Sequence, residues 1–104
     1  MKAIQVITTV DNETKAKEIA QALLDKRLTA CVQMFPVSSS YRWKDKIENA
    51  HEWACVIKAR AADYPKVEAA IKSIHTYSVP EIIALPIIKG SKPYLKWLEK
   101  ETKK

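Results

Sequence analysis

Residues 30–60, ACVQMFPVSSSYRWKDKIENAHEWACVIKAR, read as two long extended arms around a single reversal. The first arm runs to Trp43 with Pro36 and the run Ser38-Ser39-Ser40 inside it, and a period of two puts Tyr41 and Trp43 on one face. Lys44-Asp45-Lys46 supplies the reversal, because Asp tolerates turn conformations, and residues 47–60 return as the second arm. With Asp45 at the centre, Trp43 faces Ile47 and Cys31 faces Ala59, a register that predicts one shared face for Phe35, Val37, Tyr41, Trp43, Trp53 and Cys55. Arms of roughly 15 residues would reach about 50 Å unbent, against a diameter of roughly 33 Å for a domain of this length. The hairpin must therefore bend or overhang, and an overhang carrying Tyr41 and Trp43 predicts that another copy of the chain covers it.

The flanking segments complete an alternating pattern. Ala3 to Thr9 is β-branched and short, as a buried strand requires. Asp11-Asn12-Glu13 offers a cap, and Ala16, Ile19, Ala20, Leu23 and Leu24 recur at helical spacing, with Lys26 and Arg27 near the end. Asp63 and Pro65 predict the opening of a second helix with Val67, Ala70, Ile71 and Ile74 on its apolar stripe. Residues 75–80 connect it to a strand over 81–88, where Pro86 predicts an edge or a bulge, and Gly90-Ser91-Lys92-Pro93 starts a last helix holding Tyr94, Leu95, Trp97 and Leu98. The order is βαββαβ plus a C-terminal helix, an α+β ferredoxin-like split βαβ sandwich, in one domain spanning 1–104.

Composition narrows the function. The chain has 104 residues, 47% hydrophobic and 29% charged, which argues against disorder and against a disulfide-stapled miniprotein. No apolar run is long enough to span a membrane, and Met1-Lys2 leads into a strand without an export-type apolar segment, so a cytoplasmic location is expected. In the predicted register Cys31 and Cys55 lie four residues apart, roughly 13 Å, so two reduced thiols are expected. Of the net charge of +6, the six lysines and two glutamates of residues 89–104 supply +4, and a solvated helix end is the commoner explanation of such a tail.

Gly90 is the only glycine, which excludes glycine-rich phosphate loops, the acylphosphatase loop included. An RNA-recognition sheet would need spaced aromatics on its third strand, and residues 53–58 offer one, so no specific nucleic acid is expected. Cys31 lies in an apolar strand without a nearby His and reads as a buried core thiol rather than a nucleophile. His51 adjoins Glu52 and reads as a surface residue. His75 ends a helix and is followed by Tyr77 and Glu81, a mixture able to bind a metal or a polar ligand; local hydrogen bonding is the commoner state of such a residue.

Ala30-Cys31-Val32, Ser39-x-Tyr41-x-Trp43, Glu52 with Ile57-Lys58, His75-x-Tyr77-x-x-Pro80-Glu81-Ile82, Pro86-Ile87, Gly90 and Tyr94-Leu95-x-Trp97 together resemble, in order and over nearly the whole chain, the CutA divalent-cation tolerance family. The resemblance implies a cytoplasmic ferredoxin-like homotrimer whose long hairpins pair between subunits, similar in architecture to the trimeric PII signalling proteins. It implies tolerance of copper and other divalent metals, no enzymatic reaction, and no cofactor beyond a divalent metal such as copper. Tyr41, Trp43, Glu52, Lys58, His75, Tyr77, Glu81 and Trp97 are the positions it assigns to a cleft between subunits, with His75 as the metal candidate. The alternative it leaves open is a PII-like module binding a small ligand or a protein partner in that cleft. Gln33, Asp45 and Ala59 depart from the family pattern, and Thr8 stands where some members carry a first-strand cysteine. A soft Cu(I) site wants thiolate or thioether ligands, so His75 alone argues against strong copper binding by one subunit.

Overall fold

Four strands and three helices follow one another along the chain: β1 (Ala3–Val10), α1 (Glu13–Asp25), β2 (Cys31–Trp43), β3 (Lys46–Arg60), α2 (Tyr64–Ile74), β4 (Ile82–Pro86) and α3 (Lys92–Glu101). In this computed structural model, which describes residues 1–104, the strands form one antiparallel sheet in the order β2-β3-β1-β4. That is the expected ferredoxin-like order, with Pro86 on an edge strand. Strand β4 is shorter than the expected 81–88, and Glu81 falls in the loop before it.

Alternation builds the core. Ile4, Val6, Thr8 and Val10 of β1 stand opposite Ala59, Ile57, Cys55 and Trp53 of β3 and face α1 and α2. Ala16, Ile19 and Leu23 of α1 and Val67, Ala70 and Ile71 of α2 close over them, each buried Val, Leu or Ile side chain contributing about 1.5–3 kcal/mol. The Asn12 side chain caps α1 by accepting from the Lys15 N–H at 2.8 Å. Arg27, expected near the helix end, lies just beyond it at φ 55°, where the N–H groups of Arg27 and Leu28 donate to the carbonyls of Leu24 and Leu23 in a Schellman pattern.

Asp63 does not cap α2. A 3-10 turn over Ala61–Asp63 precedes the helix, and the Asp63 carboxylate instead accepts from Lys104 Nζ, tying the basic C-terminus to the body. The face of the sheet opposite α1 and α2 is covered at one end only, by α3. There Arg60 reaches α3 through Thr102 Oγ1 at 2.8 Å and the Glu99 carbonyl at 2.7 Å.

The hairpin register differs from expectation by one residue. Lys44 and Asp45 alone form the turn, both left-handed at φ 51° and 63°, so Trp43 pairs with Lys46 and Cys31 with Lys58. A two-residue turn of this hand follows the strand twist better than a three-residue reversal. The slip divides the predicted apolar face: Phe35, Val37, Tyr41 and Trp43 stand with Ala54, Glu52, Glu48 and Lys46, while Trp53 and Cys55 turn toward the helices with Pro36 and Met34. Cys31 is therefore not a core thiol. It is half-buried on the face that carries α3, and Cys55 is buried on the other, both unpaired.

The expected overhang is present. Strand β1 stops opposite Trp53, leaving the rungs from Val37–Glu52 to Trp43–Lys46 without a third strand, and the molecule extends 44 × 26 × 22 Å. No helix is long and apolar enough to cross a membrane.

Thr8 Oγ1 is sealed in the core without a hydrogen-bond partner. Thr8→Val, which keeps the shape and removes the orphan hydroxyl, is expected to raise the unfolding free energy by about 1 kcal/mol in urea titration. A loss of stability instead would show that the hydroxyl is satisfied in solution.

Candidate functional site

Because β2 and β3 run past the sheet, the tip of the hairpin stands beside the loop that joins α2 to β4. Between them lies a cleft of about 410 Å³ lined by Thr9, Tyr41, Trp43, Glu52, Tyr77, Ser78, Val79 and Glu81. Register puts Tyr41 and Trp43 on the same face as Glu52, and the loop following His75 supplies the opposite wall.

Two successive hydrogen bonds fix that loop. The Tyr77 N–H donates to His75 Nδ1 at 3.1 Å, so the ring proton sits on Nε2, which donates to the Thr9 carbonyl at 2.7 Å. The His75 and Tyr77 rings pack with centroids 4.7 Å apart. Tyr77 then donates its hydroxyl to Glu52 Oε2 at 2.7 Å. Glu52 is only 5% exposed, and its second oxygen, Oε1, has no hydrogen-bond partner in the chain. Burial, followed by the Glu52 bond and charge, pushes the Tyr77 phenol far above its ordinary value and keeps it a donor.

Five of the eight expected residues, Tyr41, Trp43, Glu52, Tyr77 and Glu81, thus meet in the cleft of a single chain. His75 stands behind Tyr77 as its support, with both ring nitrogens engaged, so a metal there would have to displace one of these bonds. No group of three or more His, Cys, Asp or Glu side chains converges to hold a metal ion. Lys58 lies six residues along β3 from Glu52, about 20 Å away, and donates to Gln33 Oε1 at 2.8 Å. Trp97 packs on Tyr94 of α3, with centroids 5.6 Å apart.

Thr9, Ser78 and Val79 were absent from the expected set. Thr9 was detectable, since alternation from buried Thr8 turns it to the face opposite α1 and α2; Ser78 and Val79 carry no pattern beyond membership of the loop. Burial pushes the Cys55 thiol up to about 11, which suits an inert core residue. A depression of about 440 Å³ between the end of α1 and α2 is lined by Lys26, Lys66 and Lys104 among others. Its volume matches the aromatic cleft, but Lys104 is already committed to Asp63, and no buried polar group opens into it.

Residues 4–101 match the family described as CutA1 divalent ion tolerance protein. The divalent-cation tolerance protein CutA of Thermus thermophilus is 41% identical over 98 residues, covering 93% of this chain and 95% of that protein. Protein CutA of Mus musculus is 44% identical over 95 residues, 90% of this chain, and the chain spans 54% of its length. The structure of the periplasmic divalent cation tolerance protein CutA of Archaeoglobus fulgidus superposes with a TM-score of 0.95 at 36% identity, covering 97% of this chain and 99% of that one.

Tyr77→Phe leaves the Glu52 carboxylate buried without its donor, and is expected to cost about 1.5–3 kcal/mol in urea titration near neutral pH. The folded-state phenol titrates above its unfolded value, so this contribution is present below about pH 10 and is lost as pH rises further. Unchanged stability at pH 7 would mean that water satisfies Glu52.

Proposed function

The chain belongs to the CutA1 divalent ion tolerance family, and on that premise we propose that it contributes to divalent-metal tolerance, copper included, as a non-enzymatic trimer that acts by binding in its aromatic and acidic cleft. The observation that carries this reading is the convergence of Tyr41, Trp43, Glu52, Tyr77 and Glu81 between the hairpin and the loop before β4. Copper would meet two carboxylates there, and His75 only after giving up a bond to Thr9 or Tyr77. The occupied ring nitrogens favour the second reading, a PII-like module whose cleft takes a small ligand and links it indirectly to metal tolerance.

Assembly is supported by the exposed apolar residues of the sheet face opposite α1 and α2. Phe35 is 44%, Ile83 48% and Leu85 45% exposed, and the projecting hairpin leaves a strand edge unpaired. Closed symmetric association covers both, and the family resemblance selects three copies. Lys58 and Trp97, remote from the cleft within one chain, would reach it only from a neighbouring subunit. The cytoplasm is the compartment this reading assigns, where Cys31 and Cys55 would stay reduced, and neither a nucleic acid nor a membrane partner enters it.

Light scattering tests the assembly. The native protein is expected to hold a trimer mass at about 10 µM and Phe35→Asp to fall toward the monomer, because the buried charge costs several kcal/mol per site; a folded native monomer would sink the trimer. In a strain lacking the gene, the native chain is expected to restore growth on copper, and Glu52→Gln to restore it poorly. Full rescue by Glu52→Gln would remove the cleft from the function. Calorimetric titration with Cu²⁺ separates the two readings: direct metal binding gives heat that Glu52→Gln and Glu81→Gln diminish, and the second reading expects none.

A further inference from the structure

The chain carries a net charge of +6, yet the only charged groups lining the cleft are Glu52 and Glu81. A negative recess on a positive protein selects cations. The rest of the lining is three aromatic rings, from Tyr41, Trp43 and Tyr77, with Val79 and two small hydroxyl residues, Thr9 and Ser78. A hydrated divalent ion asks for several oxygen ligands in a fixed geometry, and aromatic rings provide none. An alkylated ammonium asks for the opposite: diffuse charge satisfied by ring quadrupoles and carboxylates at a distance, with apolar walls around its alkyl groups. Trp43 already receives one cation of its own chain, as Lys44 Nζ stands 6.0 Å from the ring centroid, and the ring remains 41% exposed. The volume of about 410 Å³ falls within the range of about 300–1,000 Å³ usual for small-molecule sites. Glu52, nine-tenths buried with Oε1 unpartnered, is the fixed charge, and Glu81 is the exposed one at the rim.

We propose that this cleft takes a small organic ammonium cation, with its charge between the Glu52 and Glu81 carboxylates and its alkyl groups against Tyr41, Trp43 and Tyr77. The inference rests on the reading of the cleft as a ligand site. Tyr77 serves two purposes in it, as a wall of the cage and as the donor that orients Glu52. The occupant is a free solute, because the recess is a cleft beside a projecting hairpin rather than a flat surface.

The full chain is titrated by calorimetry with choline, with its uncharged carbon isostere 3,3-dimethylbutan-1-ol, with inorganic phosphate and with Cu²⁺. Choline is expected to bind about tenfold more tightly than the isostere, in keeping with a desolvated cation–π and carboxylate site. Glu81→Gln, on an exposed side chain whose loss leaves the packing intact, is expected to weaken choline about threefold or more and leave the isostere unchanged. Trp43→Leu should weaken both, and thermal melts confirm that each variant folds. Equal affinity for choline and the isostere, or no choline heat up to about 50 mM, overturns the proposal. Binding of Cu²⁺ in place of choline, lost in Glu52→Gln, or of phosphate, strengthened in Glu52→Gln, overturns it too while leaving the cleft a ligand site. Silence from every probe, together with full copper rescue by Glu52→Gln, removes both readings. Retention on phosphatidylcholine vesicles without binding of free choline would replace the free solute by a lipid headgroup and refute the proposal as stated.

Discussion

Lys44 and Asp45 hold left-handed backbone angles in a two-residue turn, and the placement of every aromatic residue on the hairpin follows from that pair. Side chains alternate strictly along a strand, so a turn one residue longer would exchange the two faces of one arm relative to the other. Tyr41 and Trp43 would then no longer share a face with Glu52. With β3 held by β1, Val32 and Met34 of β2 would leave the core they pack against. The core and the cleft are thus two readings of one register, and neither can be altered at the turn without the other.

A second dependence runs through the loop after α2. His75 is held by the Thr9 carbonyl, Tyr77 by His75, and Glu52 by Tyr77, so a line of hydrogen bonds joins β1, the helix end and β3. A buried carboxylate is tolerated because a donor has been carried to it across the sheet edge. The site is consequently as rigid as the three elements that contribute to it, although two of its walls are a loop and a projecting hairpin.

Much of this was legible in the sequence. The periods of Ala3 to Thr9 and of Ala16 to Leu24, together with Pro86, carry the element order and the edge strand. The mismatch between arm length and domain size carries the overhang. Five cleft residues came through family resemblance. The register was not legible, since Lys44-Asp45-Lys46 lacks the Asn-Gly signal that would single out a two-residue turn, and both alignments keep an apolar stripe. Asp63 looked like a cap because Pro65 follows it, but the competing partner, Lys104, lies 41 residues away and no local pattern announces it. Lys58 is kept from the cleft by distance along β3 and Trp97 by its place on α3, neither of which motif spacing encodes.

Three residues, Arg27, Lys44 and Asp45, occupy left-handed backbone that glycine would adopt without strain, and the chain uses its single glycine elsewhere. Each such residue raises the energy of the native state by about 1 kcal/mol. The same side chains also narrow the set of conformations open to the denatured chain, an effect of comparable size, about 0.4–1 kcal/mol per position, and opposite sign. A chain so poor in glycine gives up less disorder when it folds than a glycine-rich one would, which offsets part of the strain of a turn at the tip of an unsupported ribbon, where no core contacts exist to hold it.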